Sequence, residues 1–185
     1  MGYAIAEKLA DQGAKVILVS GPVTFSTKNA GIQIVSVESA QEMYHACLEL
    51  FPQCDGAVMT AAVADFTPVK PYSEKNKRGK ENWHLELKPT SDIAATLGKM
   101  KKPKQMLVGF ALETTDEKNN AQNKLKKKNL DFIVLNSLKD PGAGFGVDTN
   151  KITIIDKDNN QQAYELKSKK EVAADIVEKM ISLLA

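Results

Sequence analysis

Residues that could act on a substrate concentrate between Met59 and Lys75, in Met-Thr-Ala-Ala-Val-Ala-Asp-Phe-Thr-Pro-Val-Lys-Pro-Tyr-Ser-Glu-Lys. Ala61, Ala62 and Ala64 are too small to block a ligand lying on the backbone, and Asp65 is the first charge after them. Lys75 comes ten positions after Asp65, inside Lys70–Lys80, where five cations share eleven residues with one carboxylate. Ammonium groups neutralise charge as it builds on a leaving pyrophosphate, and a loop that moves admits substrate and excludes water. A shelf of small residues, a carboxylate and a cationic flap together suit a phosphorylated nucleoside. The same stretch also reads as a tight strand-to-helix turn followed by a solvated loop.

Three further groups carry potential chemistry. Ser91-Asp92-Ile93 begins a helix and so presents free backbone N–H groups to an anion or a base carbonyl, or serves as an ordinary cap. Phe110, beside Gly109 near a strand end, could stack on a base or fill the core. In Lys124-Leu125-Lys126-Lys127-Lys128, Lys124 and Lys128 are four apart and share a helix face, whereas Lys126 and Lys127 point elsewhere, into solvent.

Other chemistries lack their residues. The chain has no GxGxxG, no P-loop and no GxSxG elbow, and no Tyr stands four residues before a Lys. His45 and His84 are too few and too scattered for a metal site. Cys47 and Cys54 fit no metal or CxxC spacing and read as reduced thiols, with Cys47 in the core, in a cytoplasmic protein.

A chain of 185 residues, 43% apolar and 26% charged, suits one globular domain with a full core. A net charge of +2 gives no ground for nucleic acid or membrane as a main partner. Apolar runs fall short of the ~20 residues that span a bilayer, and no signal peptide is read.

The elements that must position these groups alternate. Gly2 to Gly13 reads as an amphipathic helix with a C-cap glycine, followed by a buried parallel strand at Lys15–Val19 and a short β-branched strand at Ile32–Val37. A helix from Glu38 to Phe51 has capping-box spacing at Ser39 and Glu42, and Pro52 ends it. Strands follow at Gly56–Thr60, Trp83–Leu87, Gln105–Ala111 and Asp131–Leu135, with helices at Ile93–Met100 and Asp116–Lys128. Asp140–Asp148 is loop, Lys151–Ile155 and Gln162–Leu166 form a β-hairpin, and Lys169–Leu184 is an amphipathic helix. The order predicts an α/β fold, a Rossmann-like three-layer sandwich with a mostly parallel sheet, helices on both faces and a C-terminal antiparallel hairpin. The Trp83 strand falls at an edge or outside the main sheet.

Taken in order, several blocks resemble phosphopantothenoylcysteine synthetase, the coenzyme A biosynthetic enzyme often fused to a flavin-dependent decarboxylase. They are Met1-Gly2-Tyr3-Ala4-Ile5-Ala6, Leu18-Val19-Ser20-Gly21-Pro22, Ala61-Ala62-Val63-Ala64-Asp65-Phe66 with Lys75, Val108-Gly109-Phe110-Ala111 with Glu113-Thr114, and Lys128-Asn129-Leu130-Asp131. The resemblance implies a ligase in which the carboxylate of 4′-phosphopantothenate attacks CTP to give an acyl-cytidylate and pyrophosphate. The amine of L-cysteine then displaces CMP. It also implies that Met59, Thr60 and Ala61 line the nucleotide site, that Asp65 meets the ribose or base, and that Lys75 is the catalytic lid lysine. Ser91, Asp92, Ile93, Ala94 and Phe110 would hold the cytosine side, and Lys124 and Lys128 would complete the pocket. Mg²⁺ would accompany the triphosphate with no protein metal ligand, FMN would belong only to a fused decarboxylase, and the protein would be a homodimer to which Lys151–Leu166 contributes.

One departure stands out. The family has a strand and an Asn-x-Ser-Ser-Gly-Lys segment just ahead of the position of Met1, so the resemblance implies a chain missing part of its site and inactive alone. The competing readings are a nicotinamide-dependent oxidoreductase, a non-catalytic nucleotide-binding module, and nucleic-acid binding through Lys124–Lys128.

Overall fold

A computed structural model describes residues 1–70, 74, 75, 77, 82–113, 116–137 and 146–184. Gly2–Asp11 (α1) leads into Val16–Ser20 (β1); Ile32–Ser36 (β2) leads into Ala40–Leu50 (α2), closed by a 3-10 turn at Phe51–Gln53. Gly56–Met59 (β3) precedes two short strands, Phe66–Pro68 (β4) and Leu87–Pro89 (β5), and then Ile93–Met100 (α3). Met106–Glu113 (β6), Glu117–Lys127 (α4) and Phe132–Ser137 (β7) repeat the strand–helix–strand order. The remaining elements are Thr149–Asn150 (β8), Ile152–Asp156 (β9), Gln161–Ala163 (β10), Lys167–Ser168 (β11) and Lys169–Leu184 (α5).

The fold is mixed α/β. Its central sheet runs β10-β9-β7-β6-β3, with β3, β6 and β7 parallel and β9 and β10 antiparallel. Val108, Phe132 and Val134 point to the face covered by α1 and α5, where Ile5, Val172 and Ile176 meet them. Leu107, Ile133 and Leu135 point the other way, to Met43, Leu97 and Leu125 of α2, α3 and α4. Strand residues two apart share a face, and that alternation splits the core into two layers around the sheet. β1 and β2 pair parallel to each other as a separate two-stranded sheet. Among the described residues, β1 and β3 therefore each keep one edge without a strand partner.

Local signals act as their chemistry dictates. Gly13 takes the left-handed conformation, φ 88°, just past α1. Ser39 Oγ accepts the Glu42 N–H at 3.1 Å while Glu42 Oε2 accepts the Ser39 N–H at 3.3 Å, which completes the capping box. Cys47 and Cys54 are half-buried free thiols, both pushed up by burial, and Asp55 adds to the effect at Cys54.

Two expected strands move. Trp83 to Glu86 is not strand; the pairing segment is β5, matched to β4 with Phe66 opposite Pro89 and Pro68 opposite Leu87. The ribbon stands apart from the central sheet, because two strands of three residues need only each other's backbone. The hairpin is shorter than expected: β10 stops at Ala163, and β11 instead pairs antiparallel with β8. The expected loop Asp140–Asp148 lies outside the described residues as far as 145. No helix among the described residues is long and apolar enough to cross a membrane.

Asp156 closes the β9–β10 turn. It is 7% exposed and accepts from Asp158 N at 3.1 Å, Asn160 N at 2.9 Å and Lys179 Nζ of α5 at 3.0 Å. Burial raises its carboxyl, but Lys179 and Asn160 outweigh that and hold it below its ordinary value. Asp156→Ala leaves these donors unpaired and is expected to cost about 3 kcal/mol in urea unfolding at neutral pH. A depressed folded pKa gives stability that is full above the unfolded value and lost as pH falls through the folded one. Variant and wild type should therefore converge in strong acid; a gap that persists there contradicts the assignment.

Candidate functional site

The site starts where β3 ends. Met59 lies beside Gly109 in the parallel register, so the chain leaves β3 and continues along β6 at one common edge. Ala57 and Met59 pack toward the α2–α4 layer and Val58 toward α1 and α5, so the alternation turns Thr60 to α1. Contact there is close: a Cβ built on Gly2 would sit 2.8 Å from Thr60 Oγ1. Beyond Thr60, Val63 is partly buried and anchors the segment, while Ala61, Ala62, Ala64 and Asp65 are exposed. The alanine ledge is open to ligand.

Thr90 joins this ledge to α3. Its Oγ1 donates to the Ala64 carbonyl at 2.7 Å and its N–H to the Asp65 carbonyl at 2.9 Å. Nothing in the sequence marks Thr90, because a threonine ahead of a cap has no periodic signature. Two residues later Asp92 is the N-cap and accepts the Ala95 N–H at 3.0 Å. Ile93 is 5% exposed and anchors the helix in the core, so it offers a ligand only backbone. Ser91 is exposed and Ala94 half-buried.

Lys128, at the end of α4, places Nζ 3.0 Å from Asp92 Oδ2 and 3.2 Å from Oδ1. Lys124, one turn earlier, is half-buried, and Lys126 and Lys127 are exposed. Partial burial pushes the Asp92 carboxyl up, but the Ala95 N–H, Lys128 and Lys127 together hold it below its ordinary value. The ledge leaves the C-terminal end of β3, where open α/β sheets bind ligands, and Thr90 and Asp92 tie it to the α3 start and to the Lys128 ammonium.

One expected member stands on the other face of the sheet. Phe110 is half-buried against the α1–α5 layer, so its ring lies across the sheet from Ser91–Ala94. Lys75 is exposed, like Lys70, Glu74 and Lys77; the rest of the expected flap up to Glu81 lies outside the described residues. On the Phe110 face the structure adds Asn136, opposite Leu112 at the end of β7, whose Oδ1 is buried and has no hydrogen-bond partner among the described residues. A buried carbonyl left unpaired is costly and fits a site that receives a donor from a ligand. An asparagine at a strand end reads as a turn residue, so nothing in the sequence marks it.

The profile of the DNA/pantothenate metabolism flavoprotein C-terminal domain matches residues 1–184. A cysteine/cysteine sulfinic acid decarboxylase from an unknown prokaryotic organism is 58% identical over all of this chain, which covers 51% of it. The coenzyme A biosynthesis bifunctional protein CoaBC of Bacillus subtilis is 44% identical over 99% of this chain and 45% of its own length. Among solved structures, the C-terminal domain of a CoaBC protein superposes with a TM-score of 0.82 at 38% identity, covering 99% of this chain and 81% of that one. The chain spans about half the length of the curated relatives it matches.

Asp92 has two separable duties, and substitution divides them. Asp92→Ala removes cap and ion pair and is expected to cost about 1 kcal/mol of stability, whereas Asp92→Asn keeps the cap and costs a few tenths. Because the folded pKa is depressed, the aspartate's advantage over asparagine is full at neutral pH and disappears as pH falls through that value. Equal losses in the two variants in urea melts would contradict the assignment.

Proposed function

This chain belongs to the DNA/pantothenate metabolism flavoprotein C-terminal domain family, and we propose that it carries the ligase half of coenzyme A biosynthesis, joining 4′-phosphopantothenate to L-cysteine at the expense of CTP. The observation that carries the proposal is the open alanine ledge, tied through Thr90 to the α3 start and faced by Lys128.

The exposed backbone of Ala61–Asp65 receives the nucleotide without side-chain obstruction, and Asp65 offers its carboxylate to the ribose or base. The free N–H groups at the α3 start supply donors, and Lys128 and Lys124 supply positive charge beside them. Lys75 closes from the flap onto the phosphates, so that the substrate carboxylate attacks while pyrophosphate charge is neutralised. Cysteine then attacks the acyl carbon and CMP leaves. Alignment and charge neutralisation suffice for both steps, and no strong base is required. The divalent ion is carried on the phosphate oxygens of the nucleotide.

The protein acts as a cytoplasmic homodimer, and a fused decarboxylase domain, where present, holds FMN. The decarboxylase name of the 58% identical relative is said of a protein of about twice this length, and no decarboxylation is assigned to these residues.

Thermal unfolding of this chain tests the nucleotide. CTP with Mg²⁺ at about 100 times its Kd is expected to add ~2.7 kcal/mol of stability, with little from NADPH. Stabilisation by NADPH alone would hand the ledge to a nicotinamide enzyme. In a protein that includes the Asn-x-Ser-Ser-Gly-Lys segment, Lys75→Ala should slow pyrophosphate release about 10²-fold; an unchanged rate removes Lys75 from the reaction.

A further inference from the structure

Lys128-Asn129-Leu130-Asp131 enters the proposed site only through its lysine, yet the three residues after it determine where that lysine stands. Asn129 adopts a left-handed backbone, φ 51°, a region that asparagine tolerates better than most side chains. Its Nδ2 donates to the Gly98 carbonyl of α3 at 2.8 Å. Gly98 is buried, and a Cβ there would run into the Lys128 carbonyl oxygen, so helix and turn meet backbone to backbone. Just past α3, Lys101 Nζ donates to the Asn129 carbonyl at 2.8 Å and to Asp131 Oδ2 at 2.9 Å. The same Asp131 oxygen accepts the Leu107 N–H at 2.7 Å, which ties the turn to β6. At the opposite end of α3, the Lys128 ammonium reaches the capping carboxylate of Asp92.

α3 is therefore held to the turn between α4 and β7 at its start, at Gly98 and at its end. The root of Lys128 cannot shift without moving the helix whose first residues face the ledge. The geometry points to Asn129, seated on Gly98, as a positioning residue that presents the Lys128 ammonium and the α3 start to a nucleotide as one preset unit. This inference rests on the nucleotide reading of the ledge. A lysine whose root and tip are both held has less freedom to lose when ligand arrives, and such preorganisation appears as affinity. The bland alternative is a staple that adds stability and nothing else.

A double-mutant cycle separates the two. CTP–Mg²⁺ dissociation constants are measured by titration calorimetry for wild type, Lys128→Ala, Asn129→Ala and the double variant, each checked by urea unfolding. Lys128→Ala is expected to weaken binding about tenfold and Asn129→Ala about fivefold, with the double variant no weaker than Lys128→Ala. Asn129→Gly accepts the left-handed backbone without the amide, should weaken binding similarly, and replaces Asn129→Ala in the cycle if that variant does not fold. Additive losses, or an Asn129 variant that binds like wild type while Lys128→Ala is impaired, overturn the positioning role and leave the nucleotide reading intact. A wild type that does not bind CTP, or a Lys128→Ala variant that binds it normally, overturns the placement of Lys128 at the nucleotide and this inference with it.

Discussion

Because β3, β6 and β7 run parallel, Met59 lies beside Gly109 and Phe110 beside Val134, and each strand leaves the sheet at the same edge. Parallel neighbours require a crossover, so the exits of β3 and β6 from that edge lead on to the starts of α3 and α4. The strands themselves are buried on both sides: Leu107, Val108, Phe132 and Val134 are fully inaccessible to solvent. Exposed polar backbone and the few charges near it are thereby concentrated at the strand ends. The ledge, Thr90, Asp92 and the unpaired Asn136 Oδ1 all follow from that one constraint.

Several ion pairs in the molecule are local ties between elements. Lys179 with Asp156 secures α5 to the β9–β10 turn, Lys101 with Asp131 secures the turn after α4, and Lys167 with Asp175 secures β11 to α5. Each joins a helix or its flank to a turn or strand end. The pair of Lys128 and Asp92 differs in position more than in kind. Its aspartate is half exposed, at 49%, and stands at the edge where ligand would arrive. Such a pair contributes little to stability, and in the proposed function a phosphate takes the carboxylate's place on the cation.

Much of this was legible in residue order. The apolar run within Gln105–Ala111 called for a buried strand and β6 is one, whereas the run at Lys15–Val19 forms a β1 that is only half-buried, with Ile17 38% exposed, because among the described residues it pairs with β2 alone. Ser39 with Glu42 and Gly13 marked helix ends by local chemistry alone. Pairings between distant short segments were not legible. Phe66–Pro68 meets Leu87–Pro89, and Thr149–Asn150 meets Lys167–Ser168, through backbone groups that every residue possesses. Nor could spacing settle on which side of the sheet Phe110 lies, since that depends on the phase of β6 against its neighbours. At the site, small residues and caps were visible. Thr90 and Asn136 were not, because their meaning comes from a carbonyl 26 residues away and from the absence of any partner.

The proposed function requires a nucleotide to lie across the alanine ledge. A crystal structure of the chain with CTP and Mg²⁺ tests it most directly: the triphosphate should run along Ala61–Asp65, with the base toward the α3 start and Lys128 within ion-pair distance of a phosphate. Nucleotide density elsewhere on the molecule, with the ledge bare and Lys128 still closed on Asp92, would contradict it.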